Sequence, residues 1–258
     1  MRVTVLGCGT SGGVPRPGGK EGRGEWGAAR PEDPRNRRRR CSILVQDNGK
    51  TVLVDTSPDL RDQLLDARVE RVDAVVWTHE HADQVHGIDD LRPYYLRHGR
   101  IEAWADARTY AILKRRFDYL FEEEPGNGFY RPIYRARLIS GPFEAAGIAV
   151  RPFVQDHGLG NPSLGLRFGR VAYANDVVAL PAEALEVLAG VETLIVDAMR
   201  YRPHPTHAHL DLALEWIERV RPVRAYLTNL HVDMDYAELD ARTPTNVHPC
   251  HDGLVIDA

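Results

Sequence analysis

Short runs of β-branched and other apolar residues recur along the chain, each bounded by glycine, proline, aspartate or asparagine. Runs of this length fit buried strands better than helices. The predicted strands are 2–6, 41–45, 51–55, 73–78, 101–105 and 147–154, followed by LGLRF, RVAYA, TLIVD and RAYLT. Sheets are therefore a main part of the predicted fold.

Helical patterns lie between some of these strands. In SPDLRDQLLDA (57–67), leucines form an apolar stripe, with Ser57 as the predicted N-cap and Pro58 at the first helical position. DARTYAILKRRFDYLF, LPAEALEVLAG and HLDLALEWIERV show similar patterns. The sequence therefore predicts a mixed α/β fold, taken as a single domain over residues 1–258.

Composition limits the classes of partner. An apolar content of 43% supports a sizeable core, and a net charge of −4 argues against a surface that grips nucleic acid. The sequence has neither an apolar run long enough to cross a membrane nor an N-terminal signal segment, so we expect a cytoplasmic protein without membrane contact. Its three scattered cysteines predict neither disulfides nor a cysteine zinc site.

Two segments do not fit the alternation of strands and helices. Residues 15–40 are rich in glycine, proline and arginine, which predicts a long excursion over the surface. Residues 121–137 are rich in aromatic residues and proline, and form either a lid or a packed connection.

The stretch WTHEHADQVHG (77–87) carries the strongest chemical signal. In an extended segment alternate residues share one face, so His79, His81 and Asp83 can converge where the preceding strand ends. Two imidazoles and a carboxylate suit zinc, iron or manganese. Three polar residues in an ordinary turn would give the same pattern.

Other candidate ligands also follow apolar strands. His157 follows one strand and Asp176 another, while Asp55 ends TVLVD. Strand ends that share one rim of a sheet bring such residues into one pocket. For Asp55 we favour a buried carboxylate that holds the histidine loop by hydrogen bonds over a direct ligand.

The motifs LGCGTSGG, VDTSPD, THEHAD, DHG, NDV and LTNLH, in this order, resemble those of metallo-β-lactamase fold hydrolases. Within that family the series is most similar to the phosphoribosyl cyclic phosphate phosphodiesterases, and more distantly to tRNA 3′-processing endonucleases. The resemblance implies an αββα sandwich with the metal centre at one rim of its two sheets.

The resemblance also implies a ligand set. His79, His81 and His157 would bind a first metal, and Asp176 would bridge to a second that Asp83 also holds. In this chain Gln84 and Asn229 stand where the family has the second metal's two histidines, and His231 is a candidate replacement. Amide oxygens bind zinc weakly. We therefore predict one tightly bound divalent metal (zinc, manganese or iron), with the second weak or absent.

Catalytic roles follow from this arrangement. Asp83 would orient the attacking water, and His207 matches a family histidine thought to protonate the leaving oxygen. Four arginines could bind substrate phosphate in place of the second metal's charge: Arg37, Arg38, Arg39 and Arg40. A solvated arginine run and a histidine at a helix start are the plainer alternatives.

The predicted activity is metal-dependent hydrolysis, with hydroxide as nucleophile and a small cyclic or nucleotide-like phosphodiester as substrate. One alternative is hydrolysis of a carboxylic ester, lactone or thioester, because the same nucleophile attacks carbonyl carbon. Another is a metal-dependent protein that binds a phosphate ligand without turnover. The expected partner is a small phosphate-containing molecule, and a homodimer remains open.

Overall fold

The computed structural model describes residues 1–122 and 131–258 and contains two seven-stranded sheets. The strands of the first sheet, in spatial order, are β14 (Val255–Asp257), β1 (Arg2–Gly7), β2 (Ser42–Asp47), β3 (Lys50–Val54), β4 (Ala74–Val76), β5 (Ile101–Ala105) and β6 (Tyr134–Leu138). Strands β3 to β6 are parallel, so their carboxyl ends meet at one edge.

The second sheet has the same number of strands. In spatial order they are β13 (Val247–Pro249), β12 (Arg224–Thr228), β11 (Thr193–Asp197), β10 (Val171–Ala174), β9 (Pro162–Phe168), β8 (Ile148–Asp156) and β7 (Phe143–Ala145). Strands β10 to β13 are parallel, and β8 has the same direction because β9 is antiparallel to both of its neighbours. The carboxyl ends of these strands therefore share one rim.

Helices cover the outer faces of both sheets. They are α1 (Leu60–Asp66), α2 (Ala82–Val85), α3 (Arg92–His98), α4 (Ala107–Arg116), α5 (Ala182–Leu188), α6 (Leu210–Val220) and α7 (Tyr236–Arg242). One apolar cluster fills the space between the sheets. Two further clusters lie between a sheet and its helices, so the predicted αββα sandwich is confirmed.

The start of the first helix differs from its prediction. Ser57 is not the N-cap: the helix begins at Leu60, three residues later, because the Ser57 hydroxyl donates to Gln63 Oε1 (2.8 Å) and accepts from the Asp59 amide (3.1 Å). That turn connects Ser57 to the helix without making it part of the cap.

The segment proposed as a lid is only partly described. Residues 134–137 belong to edge strand β6, so this part agrees with the packed connection and not with the lid. The remainder of the segment includes residues 123–130, which lie outside the described residues. None of the described helices is long and apolar enough to span a membrane.

The 15–40 excursion is anchored to the fold rather than lying loosely on the surface, and Asp235 makes several of the contacts that hold it. Asn36 is fully buried and donates to Asp235 Oδ2 (2.8 Å), while the Arg30 guanidinium pairs with Asp235 Oδ1 (2.6 Å). Asp235 also accepts from the Glu238 amide at the start of α7 (3.1 Å). One buried carboxylate therefore connects the excursion to the segment that follows β12.

Candidate metal centre

Polar residues follow the carboxyl ends of strands from both sheets and converge on one rim. The loop after β4 carries His79 and His81, and the turn after β8 carries His157. The ring centroid of His79 lies 4.6 Å from that of His81 and 5.0 Å from that of His157. We call these residues the three-histidine group. Their ligand atoms all lie within 4.8 Å of one another.

The three-histidine group fits a divalent metal by its own chemistry. His79 is 2% exposed, and its Nε2 atom is buried without a hydrogen-bond partner among the described residues. An unsatisfied buried nitrogen is costly unless a ligand completes it. Burial and the neighbouring imidazoles of His157 and His81 hold the pKa of His79 well below its usual range, so the ring is neutral and its lone pair is available.

A buried carboxylate supports the orientation of His79. Asp55 accepts hydrogen bonds from the Thr78 amide (2.8 Å) and the Thr78 hydroxyl (2.9 Å), and that hydroxyl lies 3.0 Å from His79 Nδ1. Burial raises the pKa of Asp55 to about 8. Asp55 thus acts on the metal loop through Thr78, in the way that outer hydrogen-bond partners position metal-binding imidazoles.

His157 is oriented from the other sheet. Its Nδ1 lies 2.8 Å from the Thr206 carbonyl, which fixes the proton on Nδ1 and directs Nε2 toward His81 Nδ1 at 3.2 Å. Gly158 has a φ of 79°, and a Cβ there would lie 2.2 Å from the Pro205 carbonyl. Only glycine allows this approach of the two loops.

A second group of three ligand atoms, from His157, Asp176 and His207, also lies within 4.8 Å. His207 Nδ1 is 3.6 Å from Asp176 Oδ1 and 2.8 Å from Asp197 Oδ2. Burial opposes protonation of His207, but the carboxylates of Asp197 and Asp176 raise its pKa to about 9. Burial raises the pKa of Asp176 well above its usual range.

Both amides lie beside this second group. Gln84 Nε2 donates to Asp176 Oδ2 (3.0 Å) and to Asp83 Oδ2 (3.3 Å). Asn229 Nδ2 donates to Asp197 Oδ2 (3.2 Å) and lies 3.0 Å from His207 Nδ1. We call Gln84, Asn229 and the carboxylates they contact the amide position. Its amide N–H groups use carboxylate lone pairs that a second metal would need.

Two predicted members of the second site are placed differently. Among the residues that the structure describes, Asp83 belongs to neither group of converging ligand atoms, and its carboxylate instead accepts from Gln84. His231 does not turn toward the amide position: its Nε2 contacts Arg16 and its Nδ1 lies 2.9 Å from Asp233. The replacement role predicted for His231 is therefore wrong, because both ring nitrogens are used elsewhere.

The arginine run is mostly structural. Arg38 is 2% exposed and donates to the carbonyls of His231 (3.3 Å) and Met234 (2.7 Å), so its predicted substrate contact is wrong. Arg39 pairs with Asp66 (2.6 Å) and Arg40 with Asp59 (3.1 Å), which leaves both guanidinium groups with carboxylate partners. The exposed Arg37 lies over the Trp26 ring at 5.2 Å, and its substrate contact stays a prediction.

Two supporting residues escaped the sequence interpretation. Asp197 ends TLIVD just as Asp55 ends TVLVD, so the same strand-end signal could have identified it. Glu80, between the two histidines of the loop, is 7% exposed and accepts from Arg108 on α4 (2.9 Å). Arg116 donates to the Glu80 carbonyl (2.7 Å). No sequence spacing connects α4 to this loop.

A family model for the beta-lactamase superfamily domain matches residues 50–229, which include all three histidines of the group. The chain belongs to the metallo-β-lactamase superfamily. This family implies a bound divalent metal, and the geometry of the rim agrees with that. The chain is accordingly a metal-dependent hydrolase of the metallo-β-lactamase fold.

Solved structures of the metallo-β-lactamase fold match the whole chain. A diphosphatase of the PhnP family superposes with a TM-score of 0.89 at 34% identity, covering 99% of this chain and 97% of that one. Zn²⁺-bound PqqB from Methylobacterium extorquens gives 0.73 at 18% identity and full coverage of both chains. Human tRNase Z, short form, gives 0.68 at 17%, covering 100% of this chain and 99% of its own.

One curated relative is longer than this chain. An octanoyltransferase of Porphyromonas gingivalis (strain ATCC BAA-308 / W83) is 34% identical over 260 residues, which cover 98% of this chain. Those residues are 51% of that protein, so the chain spans about half the length of the relative.

Proposed function

We propose that the chain hydrolyses a phosphate ester or anhydride of a small cyclic or nucleotide-like molecule. The similarity to the PhnP-family diphosphatase carries this proposal, because it combines 34% identity with coverage of nearly the whole of both chains. The buried, unpartnered Nε2 of His79 in the three-histidine group supports metal assistance.

His79, His81 and His157 would hold a divalent metal, which would supply Lewis-acid activation when bound. We propose that one ion binds there tightly and that the amide position binds a second ion weakly or not at all. The hydrogen bonds from Gln84 to Asp83 and Asp176 support this, since they satisfy carboxylates that would otherwise attract a cation.

Two side chains of the protein, Asp83 and His207, then transfer the protons. Asp83 is half-buried at the rim, and its carboxylate can accept a proton from the attacking water and orient it. His207 lies on the other side of Asp176, held by a 2.8 Å contact to Asp197. From there its Nε2 can protonate the departing oxygen, while Asp197 fixes the ring orientation.

The test is a hydrolysis assay with metal-loaded protein on bis(p-nitrophenyl) phosphate and on a nucleoside diphosphate, with p-nitrophenyl acetate as the ester comparison. We expect phosphodiester or diphosphate hydrolysis to exceed ester hydrolysis, and His207→Gln to slow substrates with poor leaving groups most, because these need protonation. Turnover of the acetate alone would overturn the proposal. Tight binding of a phosphate ligand without turnover under any metal would indicate the binding protein instead.

A second candidate is thioester hydrolysis. The 34%-identical relative carries the name octanoyltransferase, and the same metal-assisted nucleophile attacks carbonyl carbon. Almost half of that relative lies outside the match and could itself account for the octanoyl chemistry. Release of thiol from octanoyl thioesters, compared with phosphodiester turnover in the same preparation, separates the two candidates.

A further inference from the structure

The histidines of the three-histidine group are supported unequally. His79 Nδ1 lies 3.0 Å from the Thr78 hydroxyl, and His157 Nδ1 lies 2.8 Å from the Thr206 carbonyl. Among the described residues, the only hydrogen-bond contact of the His81 ring is from its Nδ1 to Nε2 of His157 (3.2 Å), which is itself a candidate ligand. Metal-binding imidazoles usually gain their orientation from a partner on the ring nitrogen that does not bind the metal. The orientation of His81 therefore depends mainly on how its main chain is held.

Two arginines of α4 hold Glu80, the residue before His81. Arg116 Nη1 donates to the Glu80 carbonyl (2.7 Å), which belongs to the peptide group that leads into His81. Arg108 Nη2 donates to Glu80 Oε1 (2.9 Å). We call Glu80 and these two arginines the α4 clamp. It holds both the main chain and the side chain of the residue on which the position of His81 depends.

The carboxylate of Glu80 is much less exposed than the guanidinium that pairs with it. The Glu80 side chain is 10% exposed, whereas that of Arg108 is 44% exposed. Withdrawal of a carboxylate from water is costly unless hydrogen bonds from a cation replace the lost solvent. Arg108 therefore offsets the cost of burying Glu80 and fixes its carboxylate at one position.

Arg108 also contacts the loop that carries His157. The same Nη2 atom donates to Asn161 Oδ1 (3.1 Å). Asn161 closes that loop, because its amide donates to the Gly158 carbonyl (3.0 Å) and its carbonyl accepts from the His157 amide (2.9 Å). One guanidinium nitrogen thus contacts side chains from the loop after β4 and the loop after β8, which belong to different sheets.

A main-chain bond joins the same two parts of the fold at another point. The Leu164 amide on β9 donates to the Thr78 carbonyl (3.0 Å), immediately before His79. This bond supports the start of the histidine loop. The α4 clamp acts beyond His79, so it supports a different candidate ligand.

We propose that Glu80 is a positioning residue for His81, and that Arg108 and Arg116 hold it so that His81 stays beside the ligand from the other sheet. The inference rests on the metal proposed at the three-histidine group. In the part of the chain that the structure describes, no residue of the α4 clamp belongs to a group of converging ligand atoms, so the clamp acts through His81 and not as a ligand. Loss of a supporting contact of this kind costs roughly 10–100-fold in metal affinity.

The test measures zinc affinity by competition with a chelator, together with the visible spectrum of the cobalt(II)-loaded protein. Arg108→Met keeps much of the apolar stem and removes the donors to Glu80 and Asn161. We expect zinc affinity to fall about tenfold and the cobalt spectrum to change, because both depend on the orientation of His81. Arg108→Lys should restore part of the affinity, since an ammonium group can pair with Glu80 but lacks the fork of the guanidinium.

Controls separate the clamp from a general effect of charge on α4. Arg115 is exposed on the same helix, so Arg115→Met removes the same charge and should leave zinc affinity and the cobalt spectrum unchanged. If Arg108→Met does not fold, Glu80→Gln tests the same contact and should also lower zinc affinity, because it removes the charge that holds Arg108. An affinity and a spectrum equal to those of the unmodified protein in the variant used, or an equal loss in Arg115→Met, overturn the inference.

Hydrolysis by the same preparations reports on the proposed function separately. A loss of zinc affinity in Arg108→Met, when the unmodified protein does not hydrolyse bis(p-nitrophenyl) phosphate, would support the α4 clamp and reject the phosphodiesterase. Hydrolysis by the unmodified protein, with zinc affinity and cobalt spectrum unchanged in Arg108→Met, would support the enzyme and reject the clamp.

Discussion

The three-histidine group and the amide position lie on the same rim, yet they present a cation with different atoms. The first group offers imidazole nitrogens, one of them buried without a partner. At the amide position, Gln84 and Asn229 donate to carboxylates of the rim. The three-histidine group therefore leaves a nitrogen lone pair for a cation, whereas at the amide position the amide N–H groups bond to carboxylates and only the buried oxygens Gln84 Oε1 and Asp197 Oδ1 lack a partner among the described residues.

The difference is the basis of the proposal that one ion binds tightly at this rim. A neutral amide N–H satisfies a carboxylate oxygen without adding charge, and burial raises the pKa of Asp176 as the carboxylate loses solvent. The proposed weakness of the second metal position thus rests on a few side chains.

The largest effect should come from removing a ligand of the three-histidine group. His79→Ala should release the metal and lower kcat/KM by more than the roughly 10–100-fold that loss of a supporting partner costs. Elemental analysis measures the metal content, and the phosphodiester assay measures kcat/KM. His98→Ala, an exposed histidine at the end of α3, is the control. A His79→Ala variant that keeps its metal would contradict the assignment of the three-histidine group as the metal site.

The next effect concerns the amide position. Gln84→His combined with Asn229→His should tighten binding of a second zinc ion by about tenfold or more, because imidazole is the better ligand. Zinc titration against a chromogenic chelator counts the ions. Gln84→Ala with Asn229→Ala removes the amides without adding imidazoles and should gain no ion. Two tightly bound ions in the unmodified protein would contradict the proposed difference between the three-histidine group and the amide position.

A smaller effect should follow from removing the hydrogen bonds through which Thr78 links Asp55 to His79. Thr78→Val keeps the shape of the side chain but removes the hydroxyl between Asp55 and His79. Metal affinity should fall about tenfold, the lower end of the range for such supporting contacts. Competition with a chelator measures it. Thr51→Val, a buried threonine on β3, should leave the affinity unchanged.

The smallest effect on the metal should come from Asp235, which anchors the 15–40 excursion. The Arg30 guanidinium holds the pKa of Asp235 well below its usual range, despite opposing burial. Such a carboxylate stabilises the fold above its unfolded pKa of about 4, and this stability is lost as the pH falls toward the folded pKa. Asp235→Asn should lower the free energy of unfolding at neutral pH by about 1–3 kcal/mol.

Urea denaturation at neutral pH and near pH 3 tests that prediction. The difference in the free energy of unfolding between Asp235→Asn and the unmodified protein should be smaller at the lower pH. The metal content should not change. Asp62→Asn alters an exposed aspartate that pairs with Arg61, and its effect should be small at both values. A difference in the free energy of unfolding that widens as the pH falls would contradict the predicted loss of this stabilisation at low pH.

Sequence patterns identified most of the fold because strand length and apolar content are local properties. The predicted strand TLIVD, for example, is β11, and HLDLALEWIERV contains α6. Ser57 was misplaced because its hydroxyl bonds to Gln63 within a turn that propensity does not describe. Element types were thus more predictable than their ends.

The site could be predicted where its residues directly follow strands. It could not be predicted where it depends on contacts between side chains that are far apart in the sequence. His79, His81 and His157 converge because their strands share a rim. The burial of Arg38 and the contact of His231 with Arg16 depend on how the excursion packs against the segment after β12. Residues about 200 positions apart meet there, and no local pattern specifies that contact.

The backbone at Gln84 has a consequence for how this scaffold can change. Its carbonyl accepts from the Thr56 amide (2.7 Å), and the Thr56 carbonyl accepts from the Gly87 amide (2.9 Å), so the loop path here is held by bonds that do not involve the Gln84 side chain. An exchange of the side chain at position 84 should therefore leave the path of the loop unchanged, so that its effect is confined to the carboxylates that Gln84 contacts.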